Sequence, residues 1–148
     1  MSKRERPIFL VEDNPMDVDL TRRAFARHKV ENPIHVARDG EEALNFLPRW
    51  EAGEKPPLVI LLDLKLPKVD GLEVLRTLKT HPVFRIIPVV VLSTSTEDSD
   101  IQVAYQEGAN SYIAKPVDFD TFIEIVENIQ QYWCEINIPP KIQDPGES

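Results

Sequence analysis

The sequence has few of the features that would place the chain outside the reducing interior of a cell. Cys134 is the only cysteine in 148 residues, which excludes an intramolecular disulfide. The charged stretch 1–6 lacks the apolar segment of a signal peptide, and the apolar run Val59–Leu62 is far too short to cross a bilayer. We therefore expect a cytoplasmic protein that does not enter the membrane, with Cys134 a small buried or half-buried residue rather than a reactive thiol.

Basic residues are also in the minority. The chain has 17 lysines and arginines against 25 aspartates and glutamates, a net charge of -8 and a pI near 4.9. Because nucleic-acid binding requires a basic face, we expect no direct contact with DNA. The three histidines, His28, His35 and His81, are scattered and lack the spacing of a metal site, so we interpret them as structural or solvated.

The length and composition are sufficient for one folded domain. A chain of 148 residues with 42% hydrophobic residues can bury a single sizeable core, and we find no internal repeat or linker. We predict one domain over residues 1–137, followed by a short, loosely held, proline-rich tail over residues 138–148.

Continuous apolar runs are the main secondary-structure signal. The run Val59–Leu62 ends on Asp63, a pattern typical of a strand buried on both faces of a parallel sheet. The five predicted strands cover residues 8–11, 33–37, 59–63, 88–93 and 111–114. Five strands that alternate with five helices predict an α/β fold with a doubly wound, five-stranded parallel sheet and right-handed crossovers.

Capping residues and apolar spacing place the five helices between these strands. The helices are predicted to begin at or near Asn14, Asp39, Leu72, Thr96 and Asp118, with Thr96 as the cap of the fourth helix and Gly108 at its end. We expect Pro48 to end or bend the second helix. Met16 and Phe119 are expected on the buried faces of the first and the last helix.

Chemically active side chains follow four of the predicted strands: Glu12 and Asp13, Asp63, Ser93, and Lys115. The carboxyl ends of parallel strands meet at one edge of the sheet, where α/β proteins bind ligands. Three carboxylates at this edge repel one another and need a cation, and an all-oxygen site favours Mg²⁺. The ion would keep Asp63 ionised and able to form an aspartyl phosphate. Lys115 can pair with Asp63 or with a phosphoryl oxygen, and the hydroxyl of Ser93 can hydrogen-bond another of those oxygens.

In this order the motifs resemble the receiver domain of two-component response regulators, over essentially the whole chain. The matching segments are residues 12–14, residues 62–67 with Asp70-Gly71, residues 92–94 and Lys115-Pro116. The resemblance implies the flavodoxin-like fold of chemotaxis receivers, with Asp63 as the phosphoacceptor. The implied Mg²⁺ ligands are Glu12, Asp13, Asp63 and the backbone carbonyl of Lys65. The other implied site residues are the switch pair Ser93 and Tyr112, together with Lys115.

The resemblance also implies a signalling module rather than a turnover enzyme. Such a receiver takes a phosphoryl group from a sensor histidine kinase and loses it by slow autodephosphorylation. In the family, phosphorylation draws the switch hydroxyl towards the phosphoryl group and lets the switch aromatic turn inward. These movements re-shape the face made by the fourth helix, the fifth strand and the fifth helix, and so change protein–protein contacts in a phosphorelay.

A closer resemblance is to the single-domain regulators paired with cyanobacterial and bacterial phytochromes. It depends on the loop 48–57, the stretch His81–Pro88 and the segment Tyr132–Glu135. It implies a phytochrome-type kinase as partner, and a homodimer through the face just described. The apolar or aromatic candidates for that interface are Ile101, Tyr105, Tyr112 and Trp133.

Two residues depart from the usual family pattern. Lys65 stands where many members carry a neutral or smaller polar residue, and a cation there could pair with the phosphoryl group or with the three carboxylates and so alter the phosphoryl lifetime. Ser93 replaces the commoner threonine, which preserves the hydroxyl with less steric bias.

Three other functions fit the residues less well. A Mg²⁺-dependent phosphatase or phosphotransferase generally has a second carboxylate two residues after its nucleophile, where this chain has Lys65. A nucleotide- or flavin-binding protein places a glycine-rich loop after its first strand, where this chain has Glu12-Asp13. A degenerate receiver that only dimerises is disfavoured by the intact Asp63 and Lys115.

Overall fold

Five parallel strands form one sheet at the centre of the protein, in the order β2-β1-β3-β4-β5. A computed structural model of the chain describes residues 2–142. The strands are β1 (Ile8–Val11), β2 (Ile34–Ala37), β3 (Val59–Leu62), β4 (Val89–Ser93) and β5 (Ser111–Ala114). This strand order is that of the flavodoxin-like doubly wound fold, so the predicted fold is confirmed.

Helices connect successive strands. They are α1 (Pro15–Arg27), α2 (Gly40–Leu44), α3 (Phe46–Glu51), α4 (Gly71–Thr80), α5 (Asp98–Gln106) and α6 (Phe119–Ile129). Short 3₁₀ turns cover Lys3–Glu5 and Phe84–Ile86, and α6 continues into a π-helical turn at Gln130–Ile136. Within residues 2–142 no helix has both the length and the apolarity needed to span a bilayer.

The alternation of side chains along each strand divides the core into two layers. In β1, Phe9 and Val11 join the layer beneath α2 to α5, whereas Ile8 and Leu10 join the layer beneath α1 and α6. All four residues of β1 and of β3 are buried, as expected for strands covered by helices on both faces. The helices therefore cover the two faces and leave the carboxyl edge of the sheet accessible.

Pro48 breaks the second helical region one turn earlier than predicted. Pro48 itself lies in the first turn of α3, where its missing N–H leaves no hydrogen bond unmade. Its ring is incompatible with a helical carbonyl four residues back, at Leu44, and α2 ends at that residue. One predicted helix is therefore two, and residues 48–51 of the predicted loop 48–57 are helical.

Several predicted helix ends are confirmed and one is wrong. Asn14 and Asp118 cap α1 and α6, and Gly108 follows α5 with a φ of 106°. Thr96 is not the cap of α5, because Glu97 occupies that position. The hydroxyl of Ser95 accepts a hydrogen bond from the amide of Glu97 at 3.3 Å, and this bond contributes to capping the start of α5.

Met16 and Phe119 are exposed rather than buried, at 54% and 56%. Both lie in the first turn of their helices. The buried residues of α1 are instead Val18, Thr21, Ala24 and Phe25.

The first part of the predicted tail is attached to the domain. Arg6 is 5% exposed, and its guanidinium donates to the carbonyls of Pro57 at 2.7 Å and Pro140 at 3.2 Å. Ile142 packs against the core layer beneath α2 to α5. Residues 143–148 of the predicted tail lie outside the described residues, and the domain boundary after residue 137 stays a prediction.

Cys134 is half-buried in the π-helical turn. Burial raises the pKa of its thiol to about 12, which keeps the thiol protonated at neutral pH. This environment agrees with an unreactive, packing cysteine.

Candidate functional site

The end of β1 directs two carboxylates towards the start of α1. Glu12 and Asp13 follow β1 directly, and the amide of Asn14 donates to Glu12 Oε2 at 3.3 Å. The side chain of Asn14 accepts the amides of Met16 at 2.9 Å and Asp17 at 3.4 Å. This capped turn fixes the path of the backbone that carries the acids.

Asp63 is fixed at the end of β3 by its own hydrogen bonds. Its amide donates to the carbonyl of Val11 at 3.0 Å, and its Oδ1 accepts the amide of Lys65 at 3.1 Å. Gly71, the first residue of α4, lies so close that a β-carbon there would be 2.3 Å from the Asp63 carbonyl oxygen. Glycine is therefore required for α4 to begin beside Asp63.

The loop that follows Asp63 is held from its other side by the turn before α2. The amide of Gly40 donates to the carbonyl of Pro67 at 3.3 Å. A β-carbon on Gly40 would lie 1.9 Å from the carbonyl oxygen of Val69. The loop is thus packed between the beginnings of α2 and α4, and the position of Asp63 depends on both.

Three carboxylates meet at this edge, as predicted. Glu12, Asp13 and Asp63 offer oxygens that all lie within 4.8 Å of one another, and we call these residues the acid cluster. Glu12 and Asp63 are 2% and 8% exposed, whereas Asp13 is exposed. Carboxylates this close fit a small divalent cation with oxygen ligands, and the exposed Asp13 leaves room for its waters. The carbonyl of Lys65 as a further ligand stays a prediction.

Lys115 places a buried ammonium against the acid cluster. Its Nζ donates to Glu12 Oε1, to Asp17 Oδ2 at 3.0 Å and to Asp63 Oδ2 at 3.2 Å. Its side chain is 7% exposed, and its amide donates to the carbonyl of Ser93 at 2.7 Å. The end of β5 is therefore fixed to the end of β4, and the lysine reaches back across the site.

Asp17 is a site residue that the sequence analysis missed. It lies in the first turn of α1 and was hidden there, because acids are common at helix starts for reasons of the helix dipole alone. The sequence feature that could have identified Asp17 is its position four residues after Asp13, about one helical turn from the acidic pair at the end of β1.

Burial and like charge determine the protonation of these groups. Burial raises the pKa of Glu12 to about 8, and the nearby charge of Asp63 adds to this, whereas the hydrogen bond from Lys115 opposes it. Burial disfavours the charge on Lys115, but the contacts with Glu12, Asp63 and Asp17 outweigh it and raise the pKa of the ammonium. Lys115 is therefore charged, and Glu12 binds a proton more tightly than an ordinary glutamate when no cation is bound.

The raised pKa of Glu12 predicts how stability depends on pH. Between its unfolded value of 4.5 and its folded value of about 8, the folded state binds more protons than the unfolded state. The free energy of unfolding in metal-free buffer should therefore fall as the pH rises, by at least about 1 kcal/mol between pH 5.5 and 8. Urea unfolding measures this, and Glu12→Gln should flatten the slope. A wild-type free energy that rises over this range would contradict the prediction.

The two predicted switch residues are connected through Ser95. Ser93 is fully buried, and its Oγ accepts the amide of Ser95 at 3.2 Å. The hydroxyl of Tyr112 donates to the carbonyl of Ser95 at 2.9 Å, while the Tyr112 ring packs against the core. The hydroxyl of Ser95 donates to Asp100 Oδ2 on α5 at 2.6 Å. A cleft of about 580 Å³ runs from Asp13 to this position.

The four predicted interface residues differ in exposure. Tyr105 on α5 is 49% exposed, and Ile101, Tyr112 and Trp133 are half-buried. Trp133 packs against the core and against the ring of Tyr132, with centroids 4.9 Å apart. Other exposed apolar side chains follow the ends of β5 and α6 and were not among the predicted interface residues: Val117, Phe119, Tyr132, Ile136 and Ile138.

Comparison with known proteins identifies the family. The profile of the response regulator receiver domain matches residues 8–127. The chain is 46% identical over 134 residues to the probable methanogenesis regulatory protein FilR2 of Methanothrix harundinacea, covering 90% of this chain and 86% of FilR2. It is 36% identical over 141 residues to the response regulator Rcp1 of Synechocystis sp., covering 91% of this chain and 95% of Rcp1.

Solved structures agree with this assignment. The phosphorylated cyanobacterial phytochrome response regulator RcpA matches with a TM-score of 0.87 at 40% identity, covering 93% of this chain and 99% of RcpA. The Mn²⁺-bound form of Rcp1 matches with a TM-score of 0.85 at 34% identity, covering 92% of this chain and 99% of Rcp1. The chain therefore belongs to the response regulator receiver domain family and is similar, over nearly its whole length, to a cyanobacterial phytochrome response regulator.

Proposed function

We propose that this protein accepts a phosphoryl group from a sensor histidine kinase onto Asp63, with Mg²⁺ bound, and that the modification switches its protein–protein contacts. The observation that supports this most directly is the environment of Asp63. One of its oxygens accepts the amide of Lys65, and the other accepts the ammonium of Lys115 beside two more carboxylates. A nucleophilic carboxylate with a cation on one side and a metal-binding set on the other suits phosphoryl transfer.

The transfer is a single displacement. An oxygen of Asp63 forms the new bond to phosphorus while the bond from phosphorus to the donor nitrogen of a phosphohistidine breaks. The histidine ring, protonated at its other nitrogen, leaves with that electron pair as neutral imidazole. The ammonium of Lys115 lies where it can stabilise the charge of the phosphoryl oxygens. Mg²⁺, held by Glu12, Asp13 and Asp63, would supply further neutralisation of those oxygens.

The switch follows from the connections of Ser95. A hydrogen bond from Ser93 to a phosphoryl oxygen would draw the Ser93 hydroxyl towards Asp63 and disturb its bond with the amide of Ser95. Because Ser95 also binds Tyr112 and Asp100, its movement would be transmitted to β5 and α5. The protein is thus a two-state module, and hydrolysis of its own phosphoryl group is the only turnover we assign to it.

The first test is intact-mass measurement after incubation with acetyl phosphate, with Mg²⁺ or with EDTA. We expect one phosphoryl adduct with Mg²⁺ and almost none with EDTA. Absence of an adduct under both conditions would refute phosphoryl acceptance and would favour a binding module that is not controlled by phosphorylation.

The kinase that we favour is of the phytochrome type, acting in the cytoplasm. The support is the likeness to RcpA over 93% of the chain. The probable methanogenesis regulator FilR2 is also similar, so the partner must be tested directly. Red- or far-red-dependent phosphoryl transfer from a purified phytochrome kinase would support this partner. Transfer at the same rate from an unrelated histidine kinase would remove the support.

We further propose a homodimer through the face formed by α5, β5 and α6. The half-exposed ring of Tyr105 is central to this proposal, because aromatic side chains contribute strongly to interfaces. Tyr105→Glu should weaken self-association in analytical ultracentrifugation by more than about tenfold. Met16→Glu, an equally exposed site on α1, is the matched control. Equal association of the two variants would place the interface elsewhere.

A further inference from the structure

We propose that Asp17 is a positioning residue that holds the ammonium of Lys115 beside Asp63 throughout the phosphorylation cycle. The inference rests on the proposed phosphoryl transfer to Asp63 and extends it. Its starting point is that Lys115 Nζ has three carboxylate partners, which match the three protons of an ammonium group. Asp17 Oδ2 lies 3.0 Å from Nζ, closer than Asp63 Oδ2 at 3.2 Å.

The three carboxylate partners of Lys115 differ in whether they also bind the metal ion or accept the phosphoryl group. Glu12 and Asp63 also belong to the acid cluster, so a cation would share their oxygens. Asp63 loses its carboxylate charge when it becomes an acyl phosphate. Among the described residues, Asp17 is the carboxylate in contact with Lys115 that lies outside the acid cluster. Its ion pair is therefore the one that neither metal binding nor phosphorylation consumes.

The backbone around Asp17 is well placed for this role. Its amide is bonded to the Asn14 cap at 3.4 Å, and its carbonyl accepts the hydroxyl of Thr21 at 2.7 Å. The Asp17 side chain is 19% exposed and that of Lys115 is 7% exposed, so water competes weakly for the pair. A charged hydrogen bond of this kind fixes both the protonation and the direction of the ammonium.

A simple helix-dipole role for Asp17 would not require contact with Lys115. Asp19, two residues further along α1, shows the ordinary alternative, because its side chain is 58% exposed and pairs with Arg23 on the surface. Asp17→Asn and Asp19→Asn remove the same charge from the same helix. The comparison of these variants isolates the contact with Lys115 from the loss of one negative charge on α1.

The first measurement is the ¹⁵N–¹H signal of the Lys115 ammonium in the unphosphorylated, Mg²⁺-free protein, assigned by its absence from Lys115→Met. We expect the wild type and Asp19→Asn to show an exchange-protected signal that Asp17→Asn loses. Because this readout needs no phosphorylation, it remains valid if the proposed function is wrong. Retention of the signal in Asp17→Asn would overturn the inference.

The second measurement is the rate of phosphorylation by acetyl phosphate over a range of Mg²⁺ concentrations. Asp17→Asn should react about five- to tenfold more slowly than Asp19→Asn at saturating Mg²⁺, because Lys115 is less well oriented. The Mg²⁺ concentration for half-maximal rate should change less than about threefold, since Asp17 does not join the metal ligands. Equal rates in the two variants, or a rate that excess Mg²⁺ restores, would overturn the positioning role. An unreactive wild type would instead refute the proposed function.

Discussion

Replacing Asp63 by Asn is expected to abolish phosphorylation of the protein by acetyl phosphate and by its kinase. An amide is not a nucleophile at neutral pH, so the displacement at phosphorus has no attacking group. Asn is nearly isosteric with Asp and can still accept the amide of Lys65, which lies 3.1 Å from Asp63 Oδ1. The fold should therefore survive the change, and the loss should be one of chemistry alone.

Intact mass after incubation with acetyl phosphate and Mg²⁺ measures this outcome. Asp19→Asn, an exposed substitution of the same type, serves as the control and should form the adduct at the wild-type rate. In EDTA, Asp63→Asn should melt about 3 °C higher than the wild type, because one of the mutually repelling buried carboxylates is gone. An adduct that persists in Asp63→Asn would place the nucleophile at another residue.

The site could be predicted largely because its residues follow strands. An apolar run that stops at an acid, as Val59–Leu62 does at Asp63, reveals both the strand and its end. Parallel strands carry those ends to one edge whatever the helices do in detail. For this reason the proximity of Glu12, Asp13 and Lys115 to Asp63 can be predicted without knowing how the helices pack.

The features that escaped prediction depend on helix phase and position. The buried face of α1 is determined by where the helix crosses the sheet, and the sequence alone does not specify that position. The spacing of apolar residues therefore predicts a buried Met16, which is exposed, and gives no indication that Asp17 contacts Lys115. The early end of α2 depends on a steric conflict between Pro48 and a carbonyl one turn away. The hydrogen bond from the Tyr112 hydroxyl to the carbonyl of Ser95 joins residues 17 positions apart, and no local sequence pattern predicts it.

Replacing Lys115 by Met is expected to destabilise the metal-free protein by about 3 kcal/mol at pH 7. The substitution keeps an apolar stem of similar length but leaves the carboxylates of Asp17 and Asp63 without their shared counter-ion and Glu12 without its hydrogen-bond donor. The side chain of Asp63 is only 9% exposed, so water screens its charge poorly. Urea unfolding in EDTA measures the loss.

Lys55→Met provides the matched control, because Lys55 is 53% exposed and its ion pair with Glu5 spans 3.5 Å at the surface. An ion pair this exposed is screened by water and should contribute little to stability. Equal free energies of unfolding for the two variants would show that Lys115 does not neutralise the acid cluster.

The same loss should depend on pH and on Mg²⁺ in a way that packing defects do not. Without Lys115, Glu12 loses the hydrogen bond that opposes its raised pKa, so that pKa rises further in the folded state and the variant regains stability as the pH falls and Glu12 binds a proton. A divalent cation at Glu12, Asp13 and Asp63 replaces the missing positive charge, so saturating Mg²⁺ should restore more stability to Lys115→Met than it adds to the wild type. A deficit that neither acid nor Mg²⁺ reduces would mean that Lys115 stabilises the fold through its stem and not through its charge.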